Sequence, residues 1–272
     1  MPRSKRLTFI FAVIIAALIF AAGFLRGQYV VPILMYHSIN PAASPNNMLA
    51  IRADTFDKQM RFLKANRYNV ISLQALVDLI KNKKKIPPKT ICITSDDGYK
   101  DNYTYALPVL KKYNLPATMF IIIDEVGRAQ GDRLNWDEIK EMQDSGLITF
   151  GSHTLGPEPL VNFKSEPQIK RQIFDSKKIL EEKLGRKVAF FSYPEGLFDA
   201  KIKQLVVDAG YSGAVATNPG RDYADDDIFL LKRLRISENS SNMFIFAVET
   251  SGYYTFAKEY KKERKKRKHG KK

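Results

Sequence analysis

Residues 90–98 read TICITSDDG, an apolar run followed by two adjacent carboxylates and a glycine. The run from Thr90 to Thr94 is rich in β-branched residues and predicts a buried strand, and helix-forming sequence from Asn102 to Tyr113 follows it. Two carboxylates held together at the end of a strand repel each other unless a metal ion or a proton neutralises them. Asp96 and Asp97 therefore predict a functional site. The alternative is a solvated turn in which an Asp caps the following helix.

Predicted strands and helices alternate about seven times along the rest of the chain. The other strands are predicted at Val30–Tyr36, Val70–Ile71, Ala117–Ile123, Ile148–Ser152, Val188–Tyr193, Gly213–Thr217 and Phe229–Ile236. The other helices are predicted at Thr55–Asn66, Leu73–Lys81, Trp136–Ser145, Gln168–Leu184 and Ala200–Ala209. This alternation predicts an α/β fold with parallel strands, and periodicity alone does not separate a barrel from an open sheet.

Reactive side chains stand at the carboxyl ends of these predicted strands, where a barrel keeps its active site. They are His37, Asp96, Asp97, His153 and Glu195. A divalent ion held by Asp and His side chains would lower the pKa of a bound water to about 7. A second carboxylate then serves as general base and a free histidine as general acid. The alternative for each histidine taken alone is a structural role.

Length and composition favour one large domain with small appendages, since 272 residues with 44% hydrophobic content can bury a sizeable core. The single cysteine, Cys92, lies inside an apolar strand, which excludes an internal disulfide and predicts a small buried hydrophobe. Ten Lys or Arg residues between Lys258 and Lys272 account for much of the net charge of +15. The charge therefore marks a solvated tail, which we expect to contact anionic envelope polymers or lipid rather than a specific nucleic acid.

The N-terminus carries three basic residues, then an uncharged apolar run from Leu7 to Leu25. This run approaches the ~20 residues that span a bilayer, and the preceding charges place the N-terminus in the cytoplasm. The alternative is a signal peptide cleaved near Ala21-Ala22-Gly23. In both cases the rest of the chain is exported. We therefore expect a stub and transmembrane anchor over 1–28, a catalytic domain over 29–255 and a basic tail over 256–272.

Several short motifs resemble, in order and spacing, those of the polysaccharide deacetylases, the family four carbohydrate esterases. The resemblance covers roughly Ile33 to Ser237. The motifs are Ile33-Leu34-Met35-Tyr36-His37-Ser38, Thr94-Ser95-Asp96-Asp97-Gly98, Gly151-Ser152-His153-Thr154 and Tyr193-Pro194-Glu195-Gly196. The first is similar to the opening strand of the branch that deacetylates poly-N-acetylglucosamine.

The resemblance implies an irregular barrel of seven or eight β/α units and metal-dependent hydrolysis of N-acetyl groups on a sugar, with O-acetyl groups as an alternative. By position in the motifs, Asp96 is the general base, Asp97 and His153 are ligands of a divalent metal ion, expected to be zinc, and His37 is the general acid. The expected oxyanion pocket is formed by the backbone around Tyr193, Pro194, Glu195 and Gly196.

Three departures from the family pattern bear on the metal site. The second ligand histidine of the family falls on Pro157, which cannot bind a metal, and the proline after it falls on Glu158. Glu195 stands where the family has a tyrosine. Glu158 is our first candidate for a substitute carboxylate ligand and Glu195 the second. The remaining alternative is a degenerate domain that binds or scaffolds carbohydrate without catalysis. Because the base, two ligands and the acid are retained, we expect an enzyme.

Overall fold

Seven parallel strands close into a barrel in the computed structural model, which describes residues 3–44, 46–217, 224 and 226–269. The barrel strands are β1 (Ile33–Tyr36), β5 (Thr90–Ser95), β6 (Ala117–Ile121), β7 (Ile148–Ser152), β8 (Phe190–Ser192), β9 (Gly213–Ala216) and β10 (Leu231–Arg235). They pair in the order β5, β6, β7, β8, β9, β10 and β1, and β1 closes the ring by pairing with β5. The predicted α/β barrel is confirmed with seven strands.

Three two-residue strands lie outside the ring: β2 (Ser38–Ile39), β3 (Ala50–Ile51) and β4 (Asn69–Val70). β2 pairs with β3 beside the carboxyl end of β1, and β4 pairs with the first two residues of β5. The short pairing of β2 with β3 fixes the chain immediately after His37, which is one of the predicted site residues.

The helices of the described chain are α1 (Arg3–Gly27), α2 (Ala53–Ala65), α3 (Leu73–Lys81), α4 (Leu107–Tyr113), α5 (Trp136–Asp144), α6 (Glu166–Lys170), α7 (Ser176–Leu184), α8 (Ala200–Asp208), α9 (Met243–Glu249) and α10 (Tyr254–His269). The described side chains of α1 are mostly exposed. Wider, π-helical turns lead into α4 at Asn102–Ala106 and join α6 to α7 at Arg171–Asp175. The helix predicted up to Leu184 is therefore confirmed as a helical stretch interrupted by one wide turn.

Packing follows the apolar periodicity of the sequence. The predicted face of α2, formed by Phe56, Met60 and Leu63, is buried against the barrel. Helix α5 begins with a capping box, in which Asn135 accepts from the Glu138 amide and the Glu138 carboxylate accepts from the Asn135 amide. Cys92 is a free, buried thiol in β5, as predicted.

Strand register determines which residues meet at the carboxyl end of the barrel. Tyr36 in β1 lies opposite Ser95 in β5, and Met35 lies opposite Arg235 in β10. The amide of Asp96 continues the ladder by donating to the carbonyl oxygen of Tyr36 at 3.0 Å. His37 and Asp96 therefore leave neighbouring strands at the same level.

Helix α1 covers the apolar run from Leu7 to Leu25 that the sequence predicts to be transmembrane. Within the described residues, no helix is both long enough and apolar enough to cross a membrane. The side chains of residues 3–9, 21, 22 and 25 lie outside the described part. The transmembrane prediction is thus unsupported, and the location of the protein stays a prediction from sequence.

The basic tail begins as a helix that packs on the barrel. In α10, Glu259 is buried, and its carboxylate lies 3.1 Å from the ammonium group of Lys232, which is buried in β10. The packed part of the chain therefore extends at least to Glu259, and contacts of the tail with envelope polymers or lipid remain predictions.

We expect Glu259→Ala to lower the free energy of unfolding by roughly 1–3 kcal/mol, because it removes a carboxylate that pairs with the buried ammonium group of Lys232. Lys261→Ala, an exposed position one half-turn further along α10, is the matched control and should change stability by less than about 0.5 kcal/mol. Chemical denaturation measures both. Equal effects of the two substitutions would show that α10 does not pack as described.

Candidate active site

A cleft of about 360 Å³ opens at the carboxyl end of the barrel. Its walls contain six of the nine predicted site residues: His37, Asp96, Asp97, His153, Pro194 and Glu195. Pro157 also lines it. Cationic side chains that the sequence reasoning missed also line it, and these are Arg128, Arg133 and Arg235. The fold therefore brings the residues of four separate motifs to one place.

A sharp turn after β5 places both carboxylates at the rim of the cleft. Asp97 and Gly98 both adopt positive φ, at 69° and 65°, so the chain reverses directly after Asp96. A Cβ atom at position 98 would lie 3.0 Å from Cδ1 of Ile121, which makes glycine the residue that this turn accepts. Thr154 also has a positive φ, of 72°, next to His153. Strained backbone thus flanks the site on two strands.

His153 is held in one orientation and one tautomer. Its Nδ1 lies 2.8 Å from the carbonyl oxygen of Ser192. Because a carbonyl oxygen only accepts, Nδ1 carries the proton and Nε2 presents a lone pair. Nε2 lies 3.5 Å from Oδ1 of Asp97 and 3.8 Å from Oδ2 of Asp96. A histidine that ligates a metal ion is typically held in this way, with its other ring nitrogen donating to a backbone carbonyl oxygen.

Asp96 is bound by Arg233, a residue that the sequence reasoning missed. The guanidinium donates to both carboxylate oxygens at 2.7 Å, and the two side chains are 1% and 3% exposed. Arg233 also donates to the hydroxyl oxygens of Ser192 at 2.8 Å and Thr94 at 3.3 Å. A signal was present in the sequence, since Arg233 stands within a predicted buried strand, where an arginine needs an anionic partner.

The ion pair sets the protonation of Asp96. Burial by itself would raise the pKa of this carboxyl, but the charge of Arg233 and its hydrogen bonds to the carboxylate outweigh this effect. The pKa of Asp96 is therefore held well below its usual range, and the group is ionised at neutral pH.

His37 lines the same cleft as the two carboxylates and is buried, with 8% exposure. Its carbonyl oxygen accepts from Nδ2 of Asn102 at 2.7 Å and from the Ser95 hydroxyl at 3.1 Å, which fixes the backbone. Its Nδ1 is buried, and no hydrogen-bond partner for it exists among the described residues. Burial lowers the pKa of His37, and the charges of Asp96 and Asp97 oppose this only in part.

The candidate substitute ligands differ in position. Glu158 is exposed, accepts a hydrogen bond from Nδ2 of Asn162 and is absent from the walls of the cleft. The structure therefore does not bring it together with Asp97 and His153. Glu195 does line the cleft and has a positive φ of 55°.

The side chains of Asp97 and His153 show how far the site fits a divalent ion. Asp97 and His153 offer a carboxylate oxygen and an imidazole lone pair that face each other, as two ligands of one ion do. Within the described chain, no group of three or more His, Cys, Asp or Glu side chains is arranged to hold a metal ion. The residues thus fit two ligand positions, and Pro157 lines the cleft where the sequence pattern expects another ligand.

The predicted oxyanion segment contributes one free amide among the described residues. The amide of Tyr193 donates to Val215 at 3.2 Å and that of Gly196 donates back to Tyr193 at 2.9 Å, while Pro194 has no N–H group. The side chain of Tyr193 is buried against Phe191 and Phe198 rather than in the cleft. Among the described amides of residues 193–196, that of Glu195 is therefore the one that donates to no internal acceptor.

Comparisons with known proteins agree with this architecture. The family model for polysaccharide deacetylases matches residues 83–214. YxkH of Bacillus subtilis, whose name describes a polysaccharide deacetylase, is 34% identical over 210 residues, which cover 77% of this chain and 72% of YxkH. The poly-β-1,6-N-acetyl-D-glucosamine N-deacetylase of Staphylococcus aureus is 27% identical over 229 residues, covering 76% of this chain and 79% of that protein.

Among solved structures, the deacetylase PplD of Streptococcus pyogenes in complex with acetate superposes with a TM-score of 0.70 at 30% identity, covering 77% of this chain and 93% of PplD. This chain belongs to the polysaccharide deacetylase family, whose members hydrolyse N-acetyl amide bonds.

We expect Arg233→Met to lower the free energy of unfolding at neutral pH by roughly 3–5 kcal/mol, because it leaves the Asp96 carboxylate buried without its counter-charge. The folded pKa of Asp96 is below the unfolded value, so the contribution of the ion pair is present above about pH 4 and is lost as the pH falls further. Denaturation of the wild type and of Arg233→Met across this pH range measures the difference in the free energy of unfolding.

Arg235→Met is the matched control for this substitution, since Arg235 belongs to the same strand but is exposed. It should change stability by no more than about 0.5 kcal/mol. Similar losses in the two variants would contradict a special role for Arg233.

Proposed function

We propose that the protein hydrolyses N-acetyl groups of a poly-N-acetylglucosamine-type polysaccharide. The observation that carries the proposal is the convergence of His37, Asp96, Asp97 and His153 in one cleft at the carboxyl end of the barrel. The substrate class is supported by the relative named as a poly-β-1,6-N-acetyl-D-glucosamine N-deacetylase.

In the proposed reaction, Asp96 accepts a proton from the water that attacks the acetyl carbonyl. Arg233 fixes the direction in which the carboxylate faces the water, because both of its oxygens are held at 2.7 Å. The free amide of Glu195 donates to the oxygen that becomes negative in the transition state. His37 gives a proton to the sugar nitrogen as the C–N bond breaks. Its lowered pKa makes the protonated ring a strong acid for this step.

We propose that Asp97 and His153 hold a divalent ion, which when bound supplies Lewis acidity toward the acetyl carbonyl. The lone pair on Nε2 of His153, set by the carbonyl oxygen of Ser192, supports this assignment. Because two protein ligands are fewer than the three usual at catalytic zinc sites, we expect weak binding or a harder metal such as manganese.

Replacing His37 tests the acid–base assignment. We expect His37→Ala to slow release of free amine from acetylated β-1,6-linked glucosamine oligomers by roughly 10²–10⁴-fold, because the leaving nitrogen loses its proton donor. Glu158→Gln, at an acidic residue outside the cleft, is the control and should keep wild-type turnover. Wild-type turnover in His37→Ala would remove His37 from the mechanism. His37 is a cleaner target than Asp96, whose replacement also leaves Arg233 without its partner.

Metal titration tests the two-ligand assignment. We expect Asp97→Asn to weaken binding of manganese or zinc by at least about tenfold, because it replaces a carboxylate ligand with an amide. Pro157→His should instead tighten binding, since it adds an imidazole at a position that lines the cleft. Calorimetric titration of the metal-free protein measures both.

The absence of a three-donor group among the described residues favours a second candidate function, a non-catalytic carbohydrate-binding module. If the wild-type protein binds no divalent ion at micromolar concentration and releases no amine, while still binding the oligomer, this second function replaces the first.

A further inference from the structure

A second pocket, of about 440 Å³, adjoins the active-site cleft, and we call it the distal pocket. It shares two wall residues, Thr217 and Arg235, with the cleft. Its other walls come from the turn after β10 and from the facing ends of α9 and α10, and they include Asn239, Ser240, Glu249, Tyr254 and Lys258. The two pockets therefore lie side by side, with Arg235 between them.

Glu249, the last residue of α9, is the buried acidic group of the distal pocket, with 8% exposure. Its Oε2 is buried and has no hydrogen-bond partner among the described residues. A buried acceptor left unpaired costs free energy, so native structures keep such groups where a ligand or water satisfies them. Glu249 thus requires a hydrogen-bond donor that this part of the chain does not provide.

A hydrogen-bonded network connects the wall of the distal pocket to the barrel. The Tyr36 hydroxyl donates to Oε1 of Gln59 at 2.8 Å, and Nε2 of Gln59 donates to the carbonyl oxygen of Ser240 at 2.8 Å. Gln59 is fully buried, so the turn that carries Ser240 is tied to strand β1. Burial raises the pKa of the Glu249 carboxyl, and the side chain of Ser240 opposes this in part. The wall beside Glu249 is therefore held in place before a ligand binds, as is typical of a preorganised site.

The remaining walls supply the complementary groups. The guanidinium of Arg235 is exposed and makes no ion pair with a described residue, so it can donate to a ligand oxygen. Tyr254 contributes a partly buried aromatic ring, and the ammonium group of Lys258 lies 5.7 Å from its centroid. A carboxylate acceptor and cationic donors beside an aromatic ring match a sugar ring, which carries hydroxyl groups that donate and accept.

We propose that the distal pocket binds a neutral hexosamine unit of the same glycan chain whose acetylated unit occupies the active-site cleft. A neutral unit is favoured because Glu249 repels anionic substituents, whereas Arg235 and Lys258 repel cationic ones. This inference rests on the proposed deacetylase function. The pocket then gives the protein a preference for polymer over small acetylated compounds.

The test compares two substrates in Glu249→Ala. Nitrophenyl acetate reaches only the active-site cleft, whereas an N-acetylated β-1,6-linked glucosamine pentasaccharide reaches both pockets. We expect the ratio of kcat/KM for the pentasaccharide to that for the ester to fall by about tenfold, mainly through KM, because a hydrogen bond to a charged group is lost. Glu249→Gln keeps the shape of the side chain and should lower the ratio less. It controls for a loss of the fold in Glu249→Ala.

Glu182→Ala, at an exposed glutamate on α7, is the matched control and should leave the ratio unchanged. An unchanged ratio in both Glu249 variants would overturn the proposal. So would equal losses on the two substrates.

A direct titration separates this inference from the proposed function. Binding of the pentasaccharide is measured by calorimetry in the His37→Ala background, in which turnover is slow, with and without Glu249→Ala. We expect binding about tenfold weaker in the double variant. If the wild type proves inactive on both substrates, the deacetylase proposal fails and this titration still decides on the pocket. Equal affinities, or no binding to either protein, would overturn the distal site.

Discussion

The buried ion pair between Asp96 and Arg233 is the interaction on which the rest of the site depends. Two charges removed from water inside a barrel are tolerated only when their geometry is good and further hydrogen bonds satisfy them. Both conditions are met here, since the guanidinium holds both carboxylate oxygens at 2.7 Å and also reaches the hydroxyl of Ser192. The pair joins β5 to β10 across the barrel and limits how either strand end can move.

Ser192 extends this constraint to the histidine. Its hydroxyl accepts from Arg233, and its carbonyl oxygen accepts from Nδ1 of His153 at 2.8 Å. One residue of β8 therefore fixes both the orientation of Asp96 and the tautomer of His153. This network gives the two adjacent carboxylates different roles. Asp96 is buried and neutralised by Arg233, whereas Asp97, turned out by its positive φ, is left to face the lone pair of His153.

The sequence predicted the parts of this structure that depend on local pattern. Apolar periodicity located the strands and most helices, and the reactive residues His37, Asp96, Asp97 and His153 were found because they stand at strand ends. Arg233 was missed because it is one of three basic residues in β10, and no local feature of the sequence marks the one whose anionic partner lies far away in the chain. Closure of the barrel likewise depends on the pairing of β1 with β5, which periodicity cannot show.

Glu158 illustrates a different limit. Its position next to Pro157 in the sequence suggested a metal ligand. In the structure, its exposed carboxylate instead accepts a hydrogen bond from Nδ2 of Asn162. The orientation of a side chain in an irregular loop depends on local contacts that spacing does not encode. The basic tail differed from expectation for a related reason, since the burial of Glu259 against Lys232 requires knowing how α10 packs on the barrel.

Mass spectrometry of a fully N-acetylated β-1,6-linked glucosamine pentasaccharide, incubated with the purified wild-type protein and divalent metal, tests whether the protein is a deacetylase. We expect stepwise loss of acetyl groups from the sugar nitrogens, with one acetate released for each free amine formed. An intact pentasaccharide after prolonged incubation with folded, metal-supplemented protein would contradict it.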